Sequence, residues 1–163
     1  MLAPLTRAIP PLSAHVLLAL VLPLAGCADS MPPPVTESVG QQIETYLDSV
    51  GASGQETTTS TGLVYIIREP GSAEKPAIED DITIFYKGFL TNGQIFDETG
   101  TEPRTFPLSR LIAAWQEGIP LVGRGGEITL LAPPDLAYGD SPPSGSGISA
   151  NSVLVFEIEL VDF

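Results

Sequence analysis

The side chains best suited to nucleophilic or metal-assisted chemistry, His15 and Cys27, are the chain's one histidine and one cysteine, and both stand near its start. Arg7 gives that region a positive beginning, and Ala14 to Ala25 follows as an apolar run. The run is too short to span a bilayer as a stable helix and reads as the core of an export signal. A chain cut after it keeps no histidine. Ser-His-Asp and Cys-His catalysis are then excluded, as are the usual zinc sites. With one cysteine no disulfide framework forms within the chain, so stability must come from a packed core. Glu79-Asp80-Asp81 and Asp97-Glu98 lack the spaced oxygen ligands of a calcium loop and read as solvated acidic faces. No two acids are set opposite each other for hydrolysis.

The leader ends in Leu24-Ala25-Gly26-Cys27, which resembles the lipobox of bacterial lipoproteins. The resemblance implies cleavage before Cys27 and acylation of that cysteine, which leaves no free thiol. A plain cleaved signal would leave a stray cysteine instead. The resemblance further implies that lipid at Cys27 anchors the protein to the cell envelope, and Ala28 after the cysteine points to the outer membrane, facing the periplasm, if the cell has one. The whole chain carries a net charge of −13, and losing Arg7 makes it one unit more negative. Such a surface disfavours nucleic acid and anionic lipid.

About 135 residues remain after the signal, enough for one domain and a tether. Ala28 to Gly40, with three consecutive prolines, reads as that tether. Gln41 to Val50 places Ile43, Tyr46, Leu47 and Val50 on one helical face, closed by Gly51. That face must pack on the domain or on a partner chain, and the spacing leaves both open. Gly51 to Gly62 is rich in Gly, Ser and Thr and reads as a flexible link.

Strand patterns begin at Leu63. Leu63 to Arg68 is β-rich, and Ile82 to Tyr86 alternates. Asn92-Gly93 predicts a type I′ hairpin into Gln94 to Asp97. Ile128 to Leu131 is a further strand. Val153 to Val161 sets Leu154, Phe156, Ile158 and Leu160 against Glu157 and Glu159, an antiparallel strand with one wet face. A short helix, N-capped by Ser109 and ended by Gly118 and Pro120, carries Leu111, Ile112 and Trp115 on one side. The fold class is α+β: a curved antiparallel sheet wrapped around one short helix.

Five segments then carry a resemblance, in order across about 85 residues. They are Tyr86-Lys87-Gly88-Phe89-Leu90, Asn92 to Asp97, Leu111 to Gly118, Ala137-Tyr138-Gly139, and Asn151 to Phe156. Together they resemble an FKBP-type peptidyl-prolyl cis-trans isomerase domain, and Thr61 to Tyr65 resembles the lead-in strand of exported bacterial members. This divides the chain into a signal over 1–26, a lipidated tether over 27–62, and an isomerase domain over 63–163 with its motifs in 80–163.

The resemblance implies that Trp115 floors a proline pocket and that Tyr86, Phe96 and Phe156 wall it. Leu111 and Ile112 supply an aliphatic side, and the Ile112 N–H holds a substrate carbonyl. The Tyr138 hydroxyl donates to another carbonyl, and Ile148 is a flap residue over the proline. Asp97 is a buried carboxylate at the pocket edge. Asp97, Tyr138 and Phe96 are the catalytic candidates. An isolated Trp, Phe or Ile is otherwise core, and an acid leaving a hairpin is otherwise a turn residue.

The implied activity is rotation about Xaa-Pro bonds in exported polypeptides, with no cofactor and no metal, and macrolide inhibitors are candidate ligands of the same groove. The sequence departs from the family's pattern at Arg104, where a further aromatic wall is common, at Ala113-Ala114, at Ser149-Ala150, and in the longer loop Asp140 to Gly147. Those departures motivate a second reading, a module that binds proline segments with little turnover.

Overall fold

The computed structural model describes residues 37–163. The export signal, Cys27 and the proline-rich start of the tether lie outside the described residues. Twelve regular elements follow, of which seven are strands. In chain order they are α1 (Val39–Ser49), β1 (Thr57–Thr58), β2 (Val64–Glu69), β3 (Asp81–Leu90), β4 (Ile95–Glu98), β5 (Arg104–Pro107), α2 (Ala113–Gly118), β6 (Gly126–Ala132) and β7 (Leu154–Asp162). Three 3-10 turns, Leu108–Arg110, Ile119–Leu121 and Pro134–Leu136, complete the set.

All strand pairs are antiparallel, in the order β1-β2-β6-β7-β3-β4, with β5 also on β3. The ten-residue β3 is therefore shared along one edge. β5 pairs with its start, Asp81 to Ile84, and β4 with its end, Lys87 to Phe89. Phe85 and Tyr86 fall at the junction, where Thr99 closes the gap: its N–H donates to the Tyr86 carbonyl at 2.9 Å and its Oγ1 accepts from the Tyr86 N–H at 3.0 Å.

Alternation along these strands builds two cores, one on each face. The concave face buries Ile82, Ile84, Tyr86, Ile128, Leu130, Leu154, Phe156, Ile158 and Leu160 beneath α2, whose Trp115 joins them. Gly118 allows α2 to lie that close, since a Cβ there would meet Leu130 Cδ2 at 2.6 Å. The outer face is wet only in part. Its other part is covered by α1, whose Ile43, Tyr46 and Leu47 bury Val64, Ile66, Phe89, Leu131, Val153 and Val155. The last strand keeps its expected wet face at Glu157 and Glu159, while α1 docks on the same face nearer the strand's start and removes Val155 from solvent.

Local elements differ from expectation where capping and turn chemistry decide them. Helix α1 starts two residues before Gln41, because Ser38 and Gln41 form a capping box: Ser38 Oγ accepts from the Gln41 N–H and Gln41 Oε1 from the Ser38 N–H. Val50 is 49% exposed and lies past the helix end, off the buried face, while Gly51 takes the left-handed conformation after it. Gly51 to Gly62 is tied down: Ala52 is buried, and Thr57 and Thr58 pair with Tyr65 and Val64. Ser109 is not an N-cap; it lies in a 3-10 turn, and α2 begins after Ile112 without a side-chain cap.

The hairpin after β3 is also not type I′. That turn needs positive φ at both central residues, and Asn151 is the one non-glycine with positive φ among the described residues. Instead the Gly93 N–H donates to the Leu90 carbonyl at 2.8 Å, and Gly93 itself takes φ +86°. This is the longer loop closed by a left-handed glycine.

Candidate functional site

A cavity of about 270 Å³ opens on the concave face, lined by Tyr86, Phe96, Asp97, Phe106, Arg110, Leu111, Ile112, Trp115, Tyr138 and Phe156. Its walls form one succession of tilted rings. Phe106 and Tyr86 stand 6.2 Å apart, Tyr86 and Trp115 5.1 Å, Trp115 and Phe156 5.2 Å, and Phe156 and Phe96 5.7 Å, each pair edge to face. Edge-to-face contact satisfies the ring quadrupoles and fixes each ring against the next. Trp115, on α2, is 5% exposed and forms the base. Its Nε1 is buried and has no hydrogen-bond partner among the described residues.

Two backbone features place the walls. In regular pairing, Phe96 and Asp97 would point to opposite faces, yet both line the pocket. Between the pairs Gly88↔Asp97 and Phe89↔Ile95 the register shifts by one residue, and Phe96 is the residue left over. Such a bulge turns two neighbours toward one side. Gly88 makes room for the result: a Cβ there would lie 2.7 Å from Phe96 Cε2 and 3.1 Å from Phe156 Cε1.

The polar edge is a three-residue cluster. The Tyr86 hydroxyl donates to Asp97 Oδ2 at 2.6 Å, Arg104 Nη1 donates to the same hydroxyl at 3.3 Å, and Arg104 Nη1 lies 3.6 Å from Asp97 Oδ1. Burial pushes the Tyr86 phenol up to about 12, with the bond to Asp97 and its charge adding to the rise. Tyr138 is raised as well, by burial first and then by the charge of Asp97. Both phenols are neutral donors at physiological pH.

Most expected site residues meet here. Tyr86, Phe96, Asp97, Leu111, Ile112, Trp115, Tyr138 and Phe156 all line the one cavity. Ile148 does not. It is half-buried against the concave core, in the long loop before β7, outside the cavity's lining. Asp97 is not buried as expected: its side chain is 52% exposed, because β4 is a short edge strand with a neighbour on one side only. Leu111 and Ile112 lie just before α2 rather than on it. As the residue preceding the first turn, Ile112 carries an N–H with no intrahelical partner.

Two lining residues were missed, Phe106 and Arg110. Phe106 stands two residues after Arg104 on β5, so the strand's period puts both on one side, and Phe106 closes the wall beside Tyr86. That alternation was the available signal. Arg110, in the 3-10 turn, carried none.

Elsewhere, a wider hollow of about 620 Å³ crosses the outer face among Arg68, Lys87, Glu98, Glu127, Glu157 and Glu159. It is larger, but charged and polar side chains dominate its lining, with Phe85 and Tyr86 as its two aromatic residues. Among the described residues no group of three His, Cys, Asp or Glu is placed to hold a metal ion.

Known proteins share this architecture. FkpA of Escherichia coli (strain K12), an FKBP-type peptidyl-prolyl cis-trans isomerase, is 45% identical over 107 residues, 64% of this chain and 39% of that one. The crystal structure of FkpA from Escherichia coli superposes with a TM-score of 0.67 at 40% identity, covering 76% of this chain and 57% of that one. A peptidyl-prolyl cis-trans isomerase crystal structure from Pseudomonas syringae pv. tomato gives 0.64 at 27% identity, covering 77% of this chain and 95% of that one. The chain spans about two fifths of the length of the curated FkpA relative. The sequence pattern of one family matches residues 72–161, more than half of the chain, and holds every residue that lines the aromatic cavity. The chain belongs to the FKBP-type peptidyl-prolyl cis-trans isomerase family.

Proposed function

We propose that the aromatic cavity binds the proline ring of Xaa-Pro segments in exported polypeptides and accelerates rotation about the preceding bond. The observation that carries this is the enclosure of a cavity of about 270 Å³ by five successively packed rings, with the polar side chains of Asp97, Arg110 and Tyr138 completing its lining. A planar prolyl amide is held by C–N resonance, and the half-rotated amide has lost it and is less dipolar. A dry apolar pocket disfavours the planar form relative to the twisted one. Bringing a ~100 s exchange down to ~1 ms asks for five decades, roughly 7 kcal/mol of barrier. No step requires a proton transfer or a covalent bond.

In this reading Trp115 floors the ring, and Tyr86, Phe96, Phe106 and Phe156 exclude water. The Ile112 N–H and the Tyr138 hydroxyl hold substrate carbonyls, and Asp97 faces the rotating amide. Ile148 acts as a flap only if its loop swings toward the cavity. The same hollow is a candidate site for macrolide inhibitors. Cys27 carries lipid and tethers the domain to the envelope, facing the periplasm. No described helix is long and apolar enough to cross a membrane.

An isomerisation assay with a proline peptide and the purified chain tests the activity. Acceleration at micromolar protein supports it, and none at that concentration removes it. A binding module with little turnover is the second reading, and the Arg104–Asp97 contact favours it by occupying the carboxylate that would face the amide. Binding without acceleration would select it. The mass of the mature amino terminus tests lipidation at Cys27.

A further inference from the structure

Among the Lys and Arg of the described residues, Arg110 is the one that lines the aromatic cavity. Its position is electrostatically unusual. The chain carries a net charge of −13; Arg124 pairs with Glu74 and Asp162 and Arg104 with Asp97, while Arg68 lies in the acid-lined hollow of the outer face, away from the cavity. Arg110 is exposed and takes part in none of the ion pairs among the described residues. Asp97 is the one carboxylate lining the same cavity, and the Tyr86 hydroxyl and Arg104 already satisfy it.

We propose that Arg110 is a specificity-determining residue that favours Xaa-Pro segments carrying a carboxylate, Asp or Glu, beside the proline. This rests on the reading that the cavity takes prolyl segments. Arg110 precedes Leu111 and Ile112, which form the aliphatic side of the cavity, so a carbonyl held at the Ile112 N–H brings the neighbouring substrate side chain alongside Arg110. A guanidinium offers two parallel N–H donors that match a carboxylate, and it stays charged at any physiological pH. The surrounding acidic surface repels anions at long range. Arg110 supplies local attraction within about one screening length, roughly 8–10 Å.

Three peptides differing at one position test this: Ala-Glu-Pro-Phe, Ala-Leu-Pro-Phe and Ala-Lys-Pro-Phe. Two readouts are taken with the full chain, kcat/KM for isomerisation and affinity from the fluorescence of Trp115, the chain's one tryptophan. Arg110→Gln should lower the Glu-to-Lys ratio about threefold in both, the size of one screened surface charge contact, and Arg110→Glu should lower it about tenfold. Both effects should shrink in high salt. Lys75→Gln removes one unit of charge outside the cavity, from a side chain that donates to the Pro70 carbonyl. An unchanged ratio in Arg110→Gln overturns the proposal, and so does an equal shift in Lys75→Gln. If no peptide is accelerated while the affinity ratio still moves, the isomerase reading fails and the assignment of Arg110 stands.

Discussion

The Tyr86 hydroxyl and Asp97 Oδ2 lie 2.6 Å apart, joining the middle of the longest strand to a carboxylate on its edge neighbour. The bond exists because β3 hands its edge from β5 to β4 at Tyr86, so the phenol reaches both strands at once. Arg104 comes from β5 and Asp97 from β4, and Tyr86 lies between them.

Asp97→Asn should therefore change electrostatics more than stability. An asparagine still offers an oxygen to the Tyr86 hydroxyl, and the ion pair it removes is half-exposed, worth about 1 kcal/mol or less. With the charge gone, the Tyr86 and Tyr138 phenols should ionise at lower pH than before, though burial, the larger cause, keeps both raised. The sign for stability follows. A phenol raised from 10 to about 12 on folding favours the neutral form, so its contribution is complete below pH 10 and is lost as pH rises toward 12. Tyrosinate absorbance across that window, with alkaline unfolding alongside it, measures both effects, and the loss of stability should be shallower in the variant. Turnover should fall about tenfold, equivalent to about 1.4 kcal/mol of barrier. Phenols that titrate unchanged would detach Asp97 from them.

Gly88→Ala is a second test, aimed at the walls rather than the edge. The added Cβ would meet Phe96 at 2.7 Å and Phe156 at 3.1 Å; Phe156 is held between Phe96 and Trp115, and the space open to Phe96 is the cavity it lines. Overpacking of this kind costs about 1–3 kcal/mol. The rings should be driven into the cavity, so peptide affinity should fall by more than the stability loss alone explains. Urea unfolding and Trp115 fluorescence titration on the same sample separate the two.

How much of this was legible in the sequence depends on what fixes each feature. Strands with strict alternation, such as Ile82-Thr83-Ile84-Phe85-Tyr86, could be read directly, because burial of one face imposes the period. The aromatic lining was legible through a motif order that no single spacing would have supplied. Features set by a hydrogen bond between a few atoms were harder. The hairpin looked like type I′ because Asn-Gly favours it, but the pocket needs a bulged β4, and a longer loop delivers that register. Ser38-Val39-Gly40-Gln41 did carry a capping-box pattern, hidden by the prolines that precede it. The exposure of Asp97 could not be read, since nothing in Phe96-Asp97-Glu98 says that the strand lies at an edge. Nor could the docking partner of α1, because an apolar stripe names no recipient.

That last point yields a third prediction. The apolar face of α1 is spent within the chain: Ile43, Tyr46 and Leu47 cover Val64, Leu131 and Val155, and Tyr46 packs 6.1 Å from the Phe89 ring. Leu47 is 3% exposed, so Leu47→Ala removes buried methyl groups and leaves a gap that a two-core sheet cannot easily collapse. The cost should be about 2–5 kcal/mol. A helix whose stripe joined two copies would respond differently, since weakening it would shift the chain toward a smaller species. Sedimentation of Leu47→Ala at several concentrations should match that of the unaltered chain, while its urea midpoint falls. A concentration-dependent change in mass would show that the stripe also serves a second chain, and α1 would then have to leave this domain to do so.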